Sequence, residues 1–251
     1  MEANKIIITG AATRMGAAIA KKLSGPGVEI VVHYNSSKSN AERLKKELNR
    51  NNTNVYLVKG DLSKEDDLKK ITKFAKSKLK YFDCLINNAS LFENDNLKNF
   101  TSKSWNDHLN INLKAPAYLT KEFAKNVRGK NNNIINIIDQ RVFKLTPFFF
   151  SYTLSKTGLY TLTKTSAMSL APNIRVNGIA PGPTIKNKRQ TNKHFKKQYL
   201  ATPLRHQVNI NEICNAVDFF IKNSSITGQV IAIDSGQSLN WQTPDIMNGK
   251  E

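Results

Sequence analysis

Short runs of apolar, often β-branched residues alternate with longer segments of helical periodicity along the whole chain. The apolar runs predict seven strands, at residues 5–9, 29–33, 55–58, 84–87, 134–138, 175–179 and 229–233. The periodic segments predict six helices, at residues 15–23, 41–48, 68–79, 105–123, 152–170 and 210–221. Apolar strands separated by helices are typical of a parallel sheet that is covered on both faces. The pattern predicts an α/β fold, a doubly wound seven-stranded parallel sheet with helices on both faces.

No internal repeat or low-complexity linker divides the 251 residues, so we predict a single domain over residues 1–251. One long stretch, residues 181–204, has little regular pattern, and a loop of that length in a compact domain is usually functional or disordered. We expect it to be a substrate lid, and we expect residues 241–251 to form a tail.

The chain has 38 Lys and Arg residues against 19 Asp and Glu, a net charge of +19. The cations are scattered rather than interleaved with aromatic residues on one face, which argues against a nucleic-acid partner. No apolar run approaches the roughly 20 residues of a membrane-spanning helix. The chain enters its first strand without a secretory signal, and Cys84 and Cys214 lack the spacing of a metal site. We expect a cytoplasmic protein with two buried thiols, no metal and no membrane partner.

The turn between the first strand and the first helix carries two glycines. Gly10 permits a tight turn, and Gly16 allows close packing at the start of a helix whose free amide groups bind a pyrophosphate. Ligands of parallel sheets bind at the carboxyl ends of the strands, where this turn lies. The turn therefore predicts a dinucleotide site, with Thr13, Arg14 and Met15 completing the loop.

The end of the second strand reads His33, Tyr34, Asn35 and Ser36, and no carboxylate is present there. An NAD-binding unit usually places Asp or Glu at this point, about 20 residues after the glycines, to bind a ribose hydroxyl. Hydroxyl groups and the nearby Arg14 would instead bind a 2′-phosphate. The sequence therefore favours NADP(H) as the cofactor.

Polar residues also follow the third and fourth predicted strands. Asp61, with Leu62, is placed to accept from the adenine amino group. Asn88, Ala89 and Ser90 are expected to approach the adenosine ribose and the nicotinamide side.

Tyr152 and Lys156 lie one turn apart on one face of a predicted helix. An ammonium group there would ease proton transfer from a phenol whose ordinary pKa is about 10. Two other pairs share this spacing: Tyr34 with Lys38, and Tyr160 with Lys164. Context selects Tyr152, because it follows Asp139 at the end of the fifth strand. Asn112 is placed to anchor a water relay to Lys156.

These motifs together resemble the short-chain dehydrogenase/reductase family over essentially the whole chain. The matching segments are residues 9–16, Asn-Asn-Ala at 87–89, Asn112, Tyr152 with Lys156, and Pro181 with Gly182. The resemblance implies a Rossmann-type fold and an NAD(P)-dependent oxidoreductase, commonly a homotetramer. It also implies that Tyr152 is the acid, that Lys156 holds the nicotinamide ribose, and that Pro181 and Gly182 belong to the cofactor site.

Four positions depart from the family pattern. Arg14 replaces the middle glycine of the turn, Ser90 replaces a glycine, Asp139 replaces the catalytic serine, and Ser235 replaces the first glycine of Asp-Gly-Gly. A carboxylate cannot donate a hydrogen bond to a ketone unless it is protonated. Reduction of a ring C=N suits Asp139 better, because the nitrogen must gain a proton.

The chain resembles the pteridine reductase branch, which includes dihydromonapterin reductases, at Arg14, at His33-Tyr34, at Ser90 with Phe92, and at Asp139, Tyr152 and Lys156. Ser235 is a mismatch to the family pattern. That resemblance implies that Phe92 stacks a pterin against the nicotinamide. The implied substrate site consists of Arg14, Ser90, Phe92, Asp139 and Tyr152. Its wall is expected to come mainly from residues 143–150 and the lid.

The leading hypothesis is an NADPH-dependent reductase that converts dihydromonapterin, dihydrobiopterin or dihydrofolate to the tetrahydro form. One alternative is a general carbonyl or 3-oxoacyl-[acyl-carrier-protein] reductase, whose acidic carrier would suit the basic stretch at residues 186–197. The other is a non-enzymatic cofactor-sensing protein. Asp139 argues against the first alternative, and the retained Asn112, Tyr152 and Lys156 argue against the second.

Overall fold

The computed structural model describes residues 4–187 and 189–241. Lys188 of the basic stretch and all of the predicted tail except Trp241 lie outside the described residues. The strands are β1 (Lys5–Ile8), β2 (Glu29–Tyr34), β3 (Asn54–Lys59), β4 (Cys84–Asn87), β5 (Asn132–Ile137), β6 (Ile174–Pro181) and β7 (Val230–Ile233). The helices are α1 (Arg14–Lys22), α2 (Lys38–Asn49), α3 (Glu65–Leu79), α4 (Ser102–Leu109), α5 (Ala115–Ala124), α6 (Phe150–Leu170), α7 (Asn192–Leu200) and α8 (Ile210–Lys222).

The seven strands form one sheet in the order β3-β2-β1-β4-β5-β6-β7, and every neighbouring pair is parallel. This confirms the predicted doubly wound sheet. The chain reverses direction across the sheet after β3, which opens a crevice beside the carboxyl ends of β1 and β4.

Side chains alternate between the two faces of each strand, and both faces are buried. In β1, Ile6 and Ile8 pack with helices α1, α2 and α8, whereas Ile7 packs with α3, α5 and α6. The strands therefore read as continuous apolar runs. Cys84 and Cys214 are free, buried thiols, as predicted.

The predicted helix at residues 105–123 is wrong as one continuous element. It is divided into α4 and α5 by a π-helical segment, Asn110–Lys114. Pro116 near the start of α5 has no N–H, and its ring clashes with the carbonyl of residue 112 in an α-helical ladder. The interruption lies at Asn112, and π segments of this kind are frequent at functional sites.

The predicted lid, residues 181–204, is also more regular than expected, because it contains helix α7. Thr191 caps this helix by accepting from the His194 N–H, and Phe195 anchors it in the interior. A nine-residue helix with one buried residue offers too few repeats for a periodic signal. No helix in the described part of the chain has the length and apolar character to cross a bilayer.

Helix α1 lies very close to the loops beneath it. A Cβ on Gly16 would lie 2.5 Å from Asn88 Nδ2, 2.6 Å from Gly10 O and 2.8 Å from Ala11 Cα. Two of these atoms belong to the backbone, so the contact cannot be relieved by a side-chain rotation.

We therefore expect Gly16→Ala to lower the free energy of unfolding by about 1–3 kcal/mol, as measured by urea denaturation. Gly25→Ala is the control, since nothing lies within 4 Å of the added Cβ. It should change stability by less than about 0.5 kcal/mol. Equal losses in the two variants would contradict this account of the helix packing.

Candidate active site

A cavity of about 780 Å³ lies at the carboxyl ends of the strands, and residues of the predicted lid line part of it. Most of the predicted site residues line it: Gly10, Thr13, Arg14, Met15, Gly16, His33, Asn35, Asp61, Leu62, Asn88, Ala89, Ser90, Phe92, Asp139, Tyr152, Lys156, Pro181 and Gly182. Residues from six separate connections thus meet at one edge of the sheet.

Tyr34, Ser36 and Asn112 are absent from this lining. Tyr34 packs against Ala12 and Ala41 in the interior, and Ser36 is exposed. His33 and Asn35 line the cavity, whereas Tyr34 and Ser36 do not. Contact of Tyr34 and Ser36 with the cofactor stays a prediction.

The glycine turn is held by a buried histidine. The Gly10 N–H donates to His33 Nδ1 at 3.1 Å, and His33 Nε2 lies 3.0 Å from the Gly60 carbonyl oxygen. Because Nδ1 accepts, the ring is neutral and Nε2 is the donor, and burial lowers the pKa of His33. His33 therefore fixes the turn against the end of β3.

Arg14 adopts a left-handed backbone conformation, with φ +54°, at the position where the family pattern has glycine. Its guanidinium donates to the carbonyl oxygens of Ile185 at 3.0 Å and Lys186 at 2.9 Å. Arg14 thus joins the glycine turn to the lid, a contact that the sequence did not predict.

Asp139 and Tyr152 form a hydrogen-bonded pair in which Tyr152 is buried and Asp139 is half-buried. The Tyr152 hydroxyl donates to Asp139 Oδ2 at 2.7 Å, and the Arg141 N–H donates to Oδ1 at 2.9 Å. Burial raises the pKa of Asp139. Burial, together with the negative charge of Asp139, raises the pKa of Tyr152 well above 10. The site thus holds a proton between two groups that both resist ionisation.

Lys156 lies beside this pair and is almost completely buried. Its Nζ donates to the Ile137 carbonyl oxygen at 2.7 Å and lies 5.9 Å from the centroid of the Tyr152 ring. Burial lowers the pKa of Lys156 to about 8, against the opposing effect of the Asp139 charge. The spacing of Tyr152 and Lys156 thus places an ammonium group next to the phenol.

Asn112 is fully occupied by protein groups. Its Oδ1 accepts from the Leu91 N–H at 2.8 Å and from the Ser90 hydroxyl at 3.2 Å. Its Nδ2 donates to the Leu91 carbonyl oxygen at 2.9 Å and to Ser155 Oγ at 3.0 Å. These four bonds use the whole capacity of the amide. The side chain therefore holds the residue 90–91 segment onto α6, and the predicted water relay to Lys156 stays a prediction.

One wall of the cavity is aromatic. The Phe92 ring lies parallel to that of Phe149, with centroids 4.5 Å apart, and meets the Tyr152 ring edge-on at 4.7 Å. The Arg141 guanidinium lies 4.4 Å from the centroid of Phe149. Among residues 143–150, only Phe149 lines the cavity, so the expectation that this segment forms much of the wall is corrected.

Sequence reasoning missed several lining residues, among them Gln140, Arg141 and Phe149. Gln140 follows Asp139, and its Oε1 is buried without a hydrogen-bond partner in the described structure. Its position directly after a predicted strand was a usable signal. The position of Phe149 depends on a left-handed backbone at φ +58°, which no pattern in the sequence indicates.

The short chain dehydrogenase family profile matches residues 4–198. The 3-oxoacyl-[acyl-carrier-protein] reductase FabG of Buchnera aphidicola is 31% identical over 237 residues, which cover 92% of this chain and 95% of that protein. FabG of Staphylococcus epidermidis is 29% identical, with coverages of 92% and 97%.

Among solved structures, FolM alternative dihydrofolate reductase 1 from Brucella canis, complexed with NADP, is 41% identical, with a TM-score of 0.93 and 98% coverage of both chains. The Brucella suis FolM structure, also with NADP, is 40% identical, with a TM-score of 0.92 and coverages of 96% and 98%. The profile match spans most of the chain and agrees with the sheet topology and the Tyr152–Lys156 pair. This chain belongs to the short-chain dehydrogenase family.

Proposed function

We propose that this oxidoreductase uses NADPH to reduce a dihydropterin to its tetrahydro form, with dihydromonapterin, dihydrobiopterin and dihydrofolate as the candidate substrates. The observation that carries the proposal is the hydrogen bond from Tyr152 to Asp139. Support comes from the FolM alternative dihydrofolate reductases, which are about 40% identical and were crystallised with NADP. We expect the enzyme to act in the cytoplasm as a homotetramer, as the family resemblance implies.

The cavity fits a phosphorylated dinucleotide. Helix α1 begins without a side-chain cap at Thr13, so amide groups of its first turn are available to phosphate oxygens. Asn35 lines the cavity at the end of β2, where a carboxylate would repel a 2′-phosphate. When bound, the reduced nicotinamide supplies the hydride.

The residues of the chain supply the proton. Reduction of a ring C=N adds hydride to carbon and a proton to nitrogen, and Tyr152 is an acid on the cavity wall. The phenol gives its proton to the nitrogen. The Asp139 carboxylate, whose pKa is raised by burial, then takes up a proton from solvent and passes it to the phenolate through their hydrogen bond. The Lys156 ammonium stabilises the phenolate while that transfer takes place.

The aromatic wall favours a planar substrate. Phe92 and Phe149 stack face to face on this wall, and parallel stacking is the contact that such rings offer to a planar heteroaromatic. A pterin ring stacked on Phe92 would lie beside the Tyr152 hydroxyl, because the two side chains are in edge-on contact.

Tyr152→Phe should lower kcat/KM for dihydropterin reduction by at least about 100-fold, since only the acidic hydroxyl is removed. NADPH affinity, measured by fluorescence titration, should stay unchanged. Tyr160→Phe is the matched control, because Tyr160 has the same spacing to a lysine but packs on Phe143 outside the cavity. Near-normal turnover in Tyr152→Phe would place the proton donor elsewhere.

The rate should also depend on the protonation of Lys156. Because the ammonium is the active form, kcat/KM should fall as pH rises through about 8. The negative charge of Asp139 raises the pKa of Lys156, so Asp139→Asn should move this descending limb to lower pH. The pH profile of each enzyme measures the shift, and an unmoved midpoint would show that the limb belongs to another group.

The substrate class depends on Asp139. The FabG relatives favour a 3-oxoacyl or general carbonyl reductase as the second candidate, and such an enzyme needs a hydroxyl donor where this chain has a carboxyl. Asp139→Ser should therefore lower kcat/KM on a dihydropterin about 100-fold while activity on an acetoacetyl thioester holds or rises. A thermal melt checks folding of the variant. Unchanged dihydropterin reduction in Asp139→Ser would remove the chemical reason for the pterin assignment.

A further inference from the structure

Behind the aromatic wall lies a buried polar cluster formed by Asp95, His108 and Ser151. These side chains are 4%, 0% and 0% exposed, and none of them lines the cavity. They come from the segment after β4, from helix α4 and from the start of helix α6. The predicted site contains none of them.

The hydrogen-bond directions in the cluster are determined by one backbone amide. The Glu93 N–H donates to His108 Nε2 at 3.2 Å, so Nε2 is the acceptor and the proton lies on Nδ1. Nδ1 then donates to Ser151 Oγ at 2.7 Å, and the Ser151 hydroxyl donates to the Asp95 carboxylate. The hydrogen bonds of the cluster therefore all run in one direction, from the Glu93 N–H to the Asp95 carboxylate.

Asp95 also caps helix α6. The N-cap residue, Phe149, has no side-chain acceptor. Instead, Asp95 Oδ1 accepts from the Ser151 N–H at 3.0 Å, and the Asp95 carbonyl oxygen accepts from the Phe150 N–H at 3.2 Å. A residue 56 positions earlier in the chain thus supplies the negative charge that a helix N-terminus favours.

At each end of this hydrogen-bonded cluster, the neighbouring residue in the chain belongs to the proposed site. Tyr152 is the residue after Ser151 in the first turn of α6, and Phe92 precedes the Glu93 amide that binds His108. The cluster ties these two segments together at the point where the Phe92 and Tyr152 rings meet at 4.7 Å.

We infer that Asp95, acting through Ser151 and His108, is a positioning residue that fixes the Tyr152 hydroxyl relative to the Phe92 wall. The inference rests on the proposed role of Tyr152 as proton donor. A displacement of about 1 Å in such a group costs on the order of 100-fold in rate, so the cap should affect turnover more than cofactor binding.

The kinetic test is a double-mutant cycle between Asp95 and Tyr152. Asp95→Ala should lower kcat about 100-fold, and Asp95→Asn should lower it less, because the amide oxygen still accepts from the Ser151 N–H. The affinity for NADPH should change less than about twofold in both variants if the cofactor half of the site is intact. In the Tyr152→Phe background, the effect of Asp95→Ala on kcat should shrink to less than about threefold, since the positioned hydroxyl is gone.

Asp107→Asn is the matched control, because Asp107 is an acid on α4 that pairs with the exposed Lys103. It should leave kcat within about twofold. Equal losses from Asp95→Ala with and without the Tyr152 hydroxyl would mean a general structural role and would overturn the inference. Unchanged kcat in Asp95→Ala would overturn it as well.

A second measurement is independent of the reaction. Amide hydrogen exchange of Ser151 should accelerate in Asp95→Ala, because the side-chain acceptor of its N–H is lost, while the amides of β1 keep their protection. Unchanged exchange at the Ser151 amide would overturn the positioning role, whichever substrate the enzyme takes. A wild-type enzyme that reduces ketones but no dihydropterin would refute the proposed function alone, and the cycle would then be run on the ketone.

Discussion

The hydrogen bond between Tyr152 and Asp139 imposes the main constraint on this structure, because it holds a half-buried carboxyl group of raised pKa against a buried phenol. An ionised carboxylate is costly to bury unless it is paired and hydrogen-bonded. The fold supplies a backbone donor from Arg141, a phenol donor from Tyr152 and the charge of Lys156 nearby. These partners lower the desolvation cost of the Asp139 carboxylate but do not cancel it, so its pKa stays raised. The raised pKa makes the carboxyl available for proton transfer.

Strained backbone surrounds the same site. Arg14, Phe149 and Ser235 all have left-handed φ angles, of +54°, +58° and +55°. Each such conformation costs on the order of 1 kcal/mol in a residue that has a side chain, and such strain persists where the surrounding structure determines it. Arg14 gains two hydrogen bonds to the lid, and Phe149 gains a stack with Phe92. At Arg14 and Ser235 the backbone thus has a conformation typical of glycine, although both residues carry a side chain.

The architecture could be predicted from the sequence because it follows from repeated local signals. Seven apolar runs and their intervening helices determine a parallel sheet, and the carboxyl ends of its strands determine where the site lies. The division of the long helix at Asn112 could also have been predicted, since Pro116 cannot continue an α-helical ladder. Asp95 and Phe149 could not be identified in this way. Their roles depend on contacts between segments far apart in the chain, and on loop conformations that leave no periodic trace.

The fold of this protein does not by itself determine which reaction it catalyses. FabG relatives are about 30% identical to this protein across nearly the whole chain. A fold by itself does not select a substrate, because the reaction is determined by the groups at the reacting atoms. A hydroxyl at position 139 would polarise a ketone oxygen, whereas the carboxyl present there accepts a hydrogen bond from Tyr152. The Phe92 ring lies against the Tyr152 ring. The proposal that a ring nitrogen, rather than a ketone oxygen, is protonated rests on these two features.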